Sequence, residues 1–152
     1  MSAIFLSRSS SYAIRAMAYL AAQPPERFCG AREIADHEQI PHPFLWKILQ
    51  ALRHRRLLRS IRGAGGGYTL ALRPSQIRLI DIVEALEDVS EMGSCVLGKG
   101  QCPAEQTCFL HERLRSVRES FLGVMESTTL VEILHNEPCT ADLASMAAQG
   151  TA

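Results

Sequence analysis

The sequence has no apolar run long enough to cross a membrane. Each of its hydrophobic stretches is far shorter than the roughly 20 residues that a membrane-spanning helix needs. A secretory signal is also missing, because the apolar run at residues 3–6 is short and both Arg8 and Arg15 follow closely. We therefore expect a cytoplasmic protein with no membrane partner.

The first half of the chain is poor in acidic residues. Residues 1–78 carry twelve Arg or Lys and four Asp or Glu, which gives a net charge of +8. Residues 79–152 carry four basic and twelve acidic residues, which gives −8, so the zero formal charge of the whole chain averages two unlike halves. A basic half of this size predicts a polyanionic partner, such as a nucleic acid.

The sequence has no Cys-x-x-Cys pair among its five cysteines. No cysteine stands with an evident base and carboxylate either, so we expect that the protein is not a thiol oxidoreductase or another enzyme. In a reducing compartment, five cysteines favour metal or redox chemistry over a disulfide framework. Cys29 is expected to be a small core residue and Cys139 an uninvolved thiol.

Three of the cysteines stand close together with a histidine. Cys95, Cys102, Cys108 and His111 follow the pattern Cys-x6-Cys-x5-Cys-x2-His over seventeen residues. Thiolates gathered this closely repel one another unless a cation lies between them, which indicates a soft metal or an iron-sulfur cluster. Zinc held by three cysteines and a histidine is one alternative, and a thiol switch without a cluster is another.

Two helices with apolar spacings of three and four are predicted near the N-terminus. Ser9, Ser10 and Ser11 are N-cap candidates for the first helix, which Pro24 stops. The second helix is predicted over residues 31–37, and a tight turn follows it.

The third predicted helix begins near His42 or Pro43, because proline is well tolerated at the first helical position. One stripe of this helix is apolar and its other faces are polar, aromatic or basic. Two helices, a tight turn and a basic second helix make a helix-turn-helix, which predicts DNA binding. The stripe consists of Leu45, Ile48, Leu49 and Leu52. The residues expected to contact DNA are Trp46, Lys47, Gln50 and Arg53.

Two short strands are predicted next, at residues 58–62 and 68–72. The second strand is expected to turn Tyr68, Leu70 and Leu72 to one side. The loop between the strands has four glycines in five residues, so its backbone can adopt positive φ and approach a close surface. This pattern predicts a wing that rests on DNA phosphates. The wing residues expected to contact DNA are Arg59, Arg62, Gly65 and Gly66.

A long apolar seam lies downstream of the cysteines. Its residues recur at spacings of four and three over about four helical turns, and a second subunit is the economical way to cover them. Thr129 and Glu132 then predict a capping box for one more short helix. The seam consists of Leu110, Leu114, Val117, Phe121 and Val124.

Four local patterns, in order over roughly residues 6–134, resemble the Rrf-two family of winged-helix transcription regulators. The likeness is to the iron-sulfur members of the IscR and NsrR type, and it implies a homodimer that reads a palindromic operator in double-stranded DNA. The patterns are SYAIRAM at residues 11–17, FLWKIL at 44–49, SIRGAGGGY at 60–68, and the cysteine set.

The resemblance also bears on the ligands and on the wing. Nitric-oxide-sensing members can use an acidic residue near the first helix as fourth ligand, but Ser11 stands about there in this chain. His111 is the better candidate, and a set of three cysteines and a histidine would suit a [2Fe-2S] cluster, with [4Fe-4S] as the alternative. Ala64 replaces a proline common in the family's wing and is expected to leave that loop more flexible. The six-residue spacing before Cys102, in place of the more familiar five, can be absorbed by a glycine-rich loop.

The expected fold is mainly α, with a winged helix-turn-helix DNA-binding domain, a small β-hairpin wing and a long dimerisation helix. The domain would span residues 1–90, a cluster-binding loop 91–109, the dimerisation helix and a short helix 110–135, and a disordered tail 136–152. The expected function is an iron-sulfur-dependent transcriptional regulator that senses redox, nitric oxide or cluster status. A zinc-stabilised nucleic-acid-binding module and a cluster-free thiol-switch regulator are the alternatives.

Overall fold

The structure is a computed structural model that describes residues 6–89 and 109–135, without the side chain of His111. These residues form a mainly helical fold with one antiparallel hairpin, which confirms the predicted fold class. The elements are α1 (Arg8–Ala21), α2 (Ala31–Glu38), α3 (His42–His54), β1 (Leu58–Ile61), β2 (Gly67–Leu70), a 3₁₀ turn (Pro74–Gln76), α4 (Leu79–Glu84), α5 (Phe109–Ser127) and α6 (Leu130–His135).

Two predictions fall on other parts of the chain. The tail at 136–152 and nearly all of the cluster-binding loop at 91–109 lie outside the described residues. Among the helices that are described, none is both long enough and apolar enough to cross a bilayer.

The main core forms where α1, α2 and α3 pack against the base of the hairpin. The predicted stripe of α3 is fully turned inward, since Leu45, Leu49 and Leu52 are completely buried and Ile48 is nearly so. On α1, Ala13 and other small side chains are buried against this stripe and let the helices approach closely. The spacing of three and four in the sequence therefore identified the inner faces correctly.

The prediction for the start of α1 is wrong by a few residues. The N-cap is Ser7, whose Oγ accepts a hydrogen bond from the backbone N–H of Ser10. Ser10 itself lies inside the helix and is fully buried, and its hydroxyl donates to the carboxylate of Glu87, as does the hydroxyl of Ser7. A residue just after α4 is thereby tied to the first turn of α1, where the helix dipole also favours a carboxylate.

The hairpin has the predicted position but ends earlier than predicted. Leu58 pairs with Leu70 and Ile61 with Gly67, so the second strand ends at Leu70. Leu72 lies beyond the strand and is exposed, and the expectation that it continues one side of the strand with Tyr68 and Leu70 is therefore wrong.

A second, small core joins α4 to the C-terminal half of α5. Ile80 and Val83 pack against Met125, with Phe121 and Leu122 at the edge of the cluster. The chain then returns to the main core, where Leu130 of α6 is completely buried. One half of the predicted capping box is present at the start of α6. The backbone N–H of Thr129 donates to the carboxylate of Glu132, at 2.6 Å.

Candidate nucleic-acid interface

The outer face of α3 carries large side chains that the core does not cover. Trp46 is 53% exposed and Phe44 55% exposed, and Lys47 is exposed beside them. Because the opposite face of the same helix is buried, this exposure is not a consequence of a loosely packed helix. Aromatic and basic side chains on an exposed helix face are suited to contacts with bases, sugars and phosphates.

A cleft of about 290 Å³ separates α3 from the wing. Trp46, Gln50 and Arg53, which are spaced by four and three residues, line its helical side. Five residues of the hairpin form the opposite side. They are Ser60, Ile61, Arg62, Gly67 and Tyr68. The structure thus brings four of the predicted DNA-binding residues to one cleft with mixed aromatic and cationic walls.

The glycines of the wing loop have different roles. Gly65 is exposed, adopts a φ of +74°, and has open space where a Cβ would stand. Gly66 is half-buried, and its backbone N–H donates to the carbonyl oxygen of Gly63 at 3.0 Å. A Cβ on Gly66 would collide with backbone oxygens, so this residue closes the turn, whereas the amide of Gly65 lies at the exposed tip. Contact of Gly65 and Gly66 with DNA stays a prediction.

Gly67 and Tyr68 fasten the wing to the segment before α2. The backbone N–H of Tyr68 donates to the carbonyl of Cys29 at 2.8 Å, and the N–H of Cys29 donates back at 2.9 Å. A Cβ on Gly67 would lie inside van der Waals contact of the Cys29 carbonyl. Only glycine therefore allows this close approach of two backbones.

The predicted basic residues are not all equally available. Arg53 and Arg62 are exposed at the cleft, but one guanidinium nitrogen of Arg59 lies 2.8 and 2.9 Å from the two carboxylate oxygens of Glu26. Both partners are largely exposed, at 50% for Arg59 and 73% for Glu26. A phosphate would have to compete with this carboxylate. Glu26 has no local sequence signal for this pair, because it stands 33 residues from Arg59, in a turn where its φ is +65°.

The predicted metal ligands lie outside what the structure describes. Cys95, Cys102 and Cys108 are in the undescribed stretch, and of His111 only the backbone is described, in the first turn of α5. Residues 6–89 and 109–135 contain no group of three or more potential ligands that could hold a metal ion.

Cys29 has the environment predicted for a core residue. Its side chain is completely buried. Burial raises the pKa of its thiol, and the nearby carboxylate of Glu33 acts in the same direction. A neutral, buried thiol is a poor nucleophile and a poor metal ligand. Cys29 is therefore a structural residue.

The seam on α5 is uncovered along one line. Leu110, Val117 and Val124 are spaced by seven residues and are 39%, 44% and 59% exposed. Leu114 and Phe121 lie between them and are half-buried. Apolar residues at alternate spacings of four and three are the pattern by which two helices pair in a coiled coil.

A winged helix-turn-helix whose α3 exposes aromatic and basic side chains is typical of DNA-binding transcription regulators. We call this exposed face of α3, together with the wing, the reading face. Residues 6–136 match the Rrf2 family, which is described as an iron-dependent transcriptional regulator. The chain belongs to this family. Its members are transcriptional regulators, so DNA binding follows, and the expectation that the chain is not an enzyme is confirmed.

Three relatives show how far the similarity extends. The chain is 29% identical over 133 residues to the transcriptional regulator NsrR of Shouchella clausii, covering 87% of this chain and 89% of that one. Among solved structures it is similar to CymR, the global cysteine regulator of B. subtilis, with 26% identity and a TM-score of 0.73, over 89% and 100% of the two chains. IscR of T. potens has 26% identity and a TM-score of 0.72, over 93% and 95%.

Proposed function

We propose that this regulator is a homodimer whose affinity for its operator depends on an iron-sulfur cluster. The observation that carries the proposal is the placement of α5. The helix begins at Phe109, directly after the third cysteine of the set, and its other end is anchored in the winged-helix domain. Whatever binds the cysteines is therefore adjacent in sequence to the helix that carries the exposed seam.

On DNA, α3 would lie in the major groove with Trp46 and Lys47 against base edges and backbone. The cleft would then face the sugar-phosphate strand between two grooves, and Arg53 and Arg62 would be close enough to contact its phosphates. The tip of the wing at Gly65 would approach the backbone beyond it. Each neutralised phosphate releases counterions, so affinity should fall steeply with salt.

The second subunit would cover the α5 seam. A helix-turn-helix that reads a palindrome is two-fold symmetric, and a symmetric pairing of α5 with its copy would place two reading faces on one side of the dimer. The charged residues Glu112, Arg115 and Glu119 lie on the opposite side of the helix, and Arg115 lies within 4 Å of both acids. This charged side of α5 would stay in contact with water in such a dimer.

The cluster would be held by Cys95, Cys102, Cys108 and His111. This donor set fits the group, because thiolates bind iron-sulfur clusters and an imidazole replaces one thiolate in some [2Fe-2S] sites. When bound, the cluster supplies a group whose charge and integrity respond to oxidants and to nitric oxide. The resemblance favours [2Fe-2S], with [4Fe-4S] as the alternative.

Two described features flank the loop and would pass a change in it to the DNA-contacting helices. On one side of the loop, the hydroxyls of Ser7 and Ser10 hold Glu87 at the start of α1. On the other side, α5 begins immediately. A loop that is tied by a cluster would fix the distance between these points, and a loop without one would let α5 tilt against the winged-helix domain.

The proposal is tested by iron and sulfide analysis of the full chain purified without oxygen. We expect iron and acid-labile sulfide in wild-type protein, and loss of both in Cys102→Ala. Cys29→Ala is the matched control, because it removes a buried thiol that lies in the core, and it should keep the cluster. Colourless wild-type protein with one zinc per chain would support the zinc-stabilised alternative, and metal-free protein the thiol switch. Either result would contradict the cluster.

A further inference from the structure

One hydrogen bond joins the two sides of the cleft. The side-chain amide nitrogen of Gln50, on α3, donates to the hydroxyl oxygen of Tyr68, on β2, at 2.9 Å. Both residues are half-buried and both line the cleft between helix and wing. Gln50 follows Trp46 by four residues, so the two side chains lie on the same face of α3.

The hydroxyl of Tyr68 is a fixed point because its backbone is clamped. Two backbone hydrogen bonds join Tyr68 to Cys29, and Tyr68 also pairs with Ser60 across the hairpin. Because Gly67 packs directly against the backbone of Cys29, β2 cannot move closer to the segment before α2. The ring can therefore hold a partner on α3 in one place.

We propose that Tyr68 is a positioning residue that orients the Gln50 amide so that Gln50 selects adenine in the operator. The inference rests on the proposed operator recognition. A glutamine amide has two N–H donors and one carbonyl acceptor. With one donor held by Tyr68, the remaining N–H and the carbonyl oxygen match N7 and the N6 amino group of adenine in the major groove. In the reversed amide, the carbonyl oxygen would accept from the Tyr68 hydroxyl and both N–H donors would be free, which matches the two acceptors of guanine. The choice of adenine therefore follows from the orientation in which Nε2 of Gln50 is the donor to Tyr68.

The test uses selection from a randomised duplex library with the full-length chain. The position that Gln50 reads is the base pair at which Gln50→Ala loses its preference. We expect adenine there in the wild type, and Tyr68→Phe should lower the preference for adenine at that position by about fivefold or more. In the Gln50→Ala background, Tyr68→Phe should have no further effect, because Tyr68 acts through Gln50.

Tyr19→Phe is the matched control. It also removes a tyrosine hydroxyl that makes one hydrogen bond, to Glu33 at 2.9 Å, but this hydroxyl is not at the cleft. It should leave the selected motif unchanged.

Three results would overturn the inference while leaving operator recognition intact. These are full retention of the adenine preference in Tyr68→Phe, a guanine at the position read by Gln50, and no change of motif in Gln50→Ala. A wild-type chain that enriches no sequence would instead overturn the proposed operator recognition, and this inference with it.

Discussion

The winged-helix domain and the α5 seam differ in how far their apolar side chains are covered by the chain itself. In the domain, each apolar stripe meets another stripe of the same chain, and α6 returns to seal the main core with Leu130. Along α5, Met125 and its neighbours are covered by α4, whereas Leu110, Val117 and Val124 stay exposed. The apolar stripes of the first region are covered by the chain itself, whereas the exposed line of the second is what the proposed partner subunit would cover.

This difference assigns different consequences to mutations in the two regions. A defect in the domain should lower the stability of each subunit. A defect in the seam should leave the subunit folded and change its association, and through association its affinity for a two-fold symmetric operator. A seam variant that unfolds the subunit, or a domain variant that changes only association, would contradict this difference.

The largest expected effect comes from placing a charge in the seam. Val117→Asp should convert the dimer to a folded monomer and lower operator affinity by about a hundredfold or more, because two linked reading heads gain affinity by avidity. Native mass and fluorescence anisotropy measure the two effects. Arg115→Asp places the same carboxylate on the opposite face and should remain dimeric. A monomeric wild type would contradict dimerisation through the seam.

A substitution at the base of the wing should act on the domain alone. Gly67→Ala should lower the free energy of unfolding by about 2 kcal/mol, because the new methyl group overlaps the Cys29 backbone. Gly65→Ala has open space and should cost only about 1 kcal/mol, for its positive φ. Denaturant unfolding at several protein concentrations separates these losses from association. Equal losses in both variants would show that the close approach is not rigid.

A smaller effect is expected where an acid shields the reading face. Glu26→Gln releases Arg59 and should raise affinity for DNA about threefold at low salt. The slope of log affinity against log salt should also become steeper by about one counterion. Glu119→Gln removes an acid of equal charge from α5 and is the control for net charge. Identical gains in the two variants would mean that general charge, and not Arg59, is responsible.

The smallest effect concerns acid stability. Burial of Asp81 alone would raise its pKa, but hydrogen bonds from Arg78 outweigh this and lower it. A lowered folded pKa means that the contribution is present above the unfolded value of about 3.9 and is lost as pH falls through the folded pKa. For this partly exposed pair we expect less than about 1 kcal/mol. Asp81→Asn and Arg78→Gln should each flatten the stability profile below about pH 4. A profile that keeps its slope would contradict the assignment.

Periodicity was sufficient to predict the helices and the hairpin. The inner face of α3 follows from the spacing of Leu45, Ile48, Leu49 and Leu52, because a buried stripe requires that spacing. Element ends were less well predicted. Ser9, Ser10 and Ser11 were predicted as N-caps, but the N-cap is Ser7. Ser10 lies inside the helix, where its hydroxyl donates to Glu87, a residue far away in the sequence.

The sequence predicts which residues lie on the reading face but not which side chains pair there. Arg53 and Arg62, predicted to contact DNA, line the cleft, whereas the ion pair of Arg59 with Glu26 and the bond of Gln50 to Tyr68 depend on how separate segments meet. Neither partner has a local sequence signal. The ligands of the proposed cluster remain predictions from spacing and resemblance.

The most direct test of the account is one binding titration of a selected operator, performed anaerobically with the same protein before and after removal of its cluster. We expect the affinity of the dimer, or its order of preference among operators, to change about tenfold or more between the two forms, an ordinary coupling between two sites. Identical affinities and preferences with and without the cluster would contradict it.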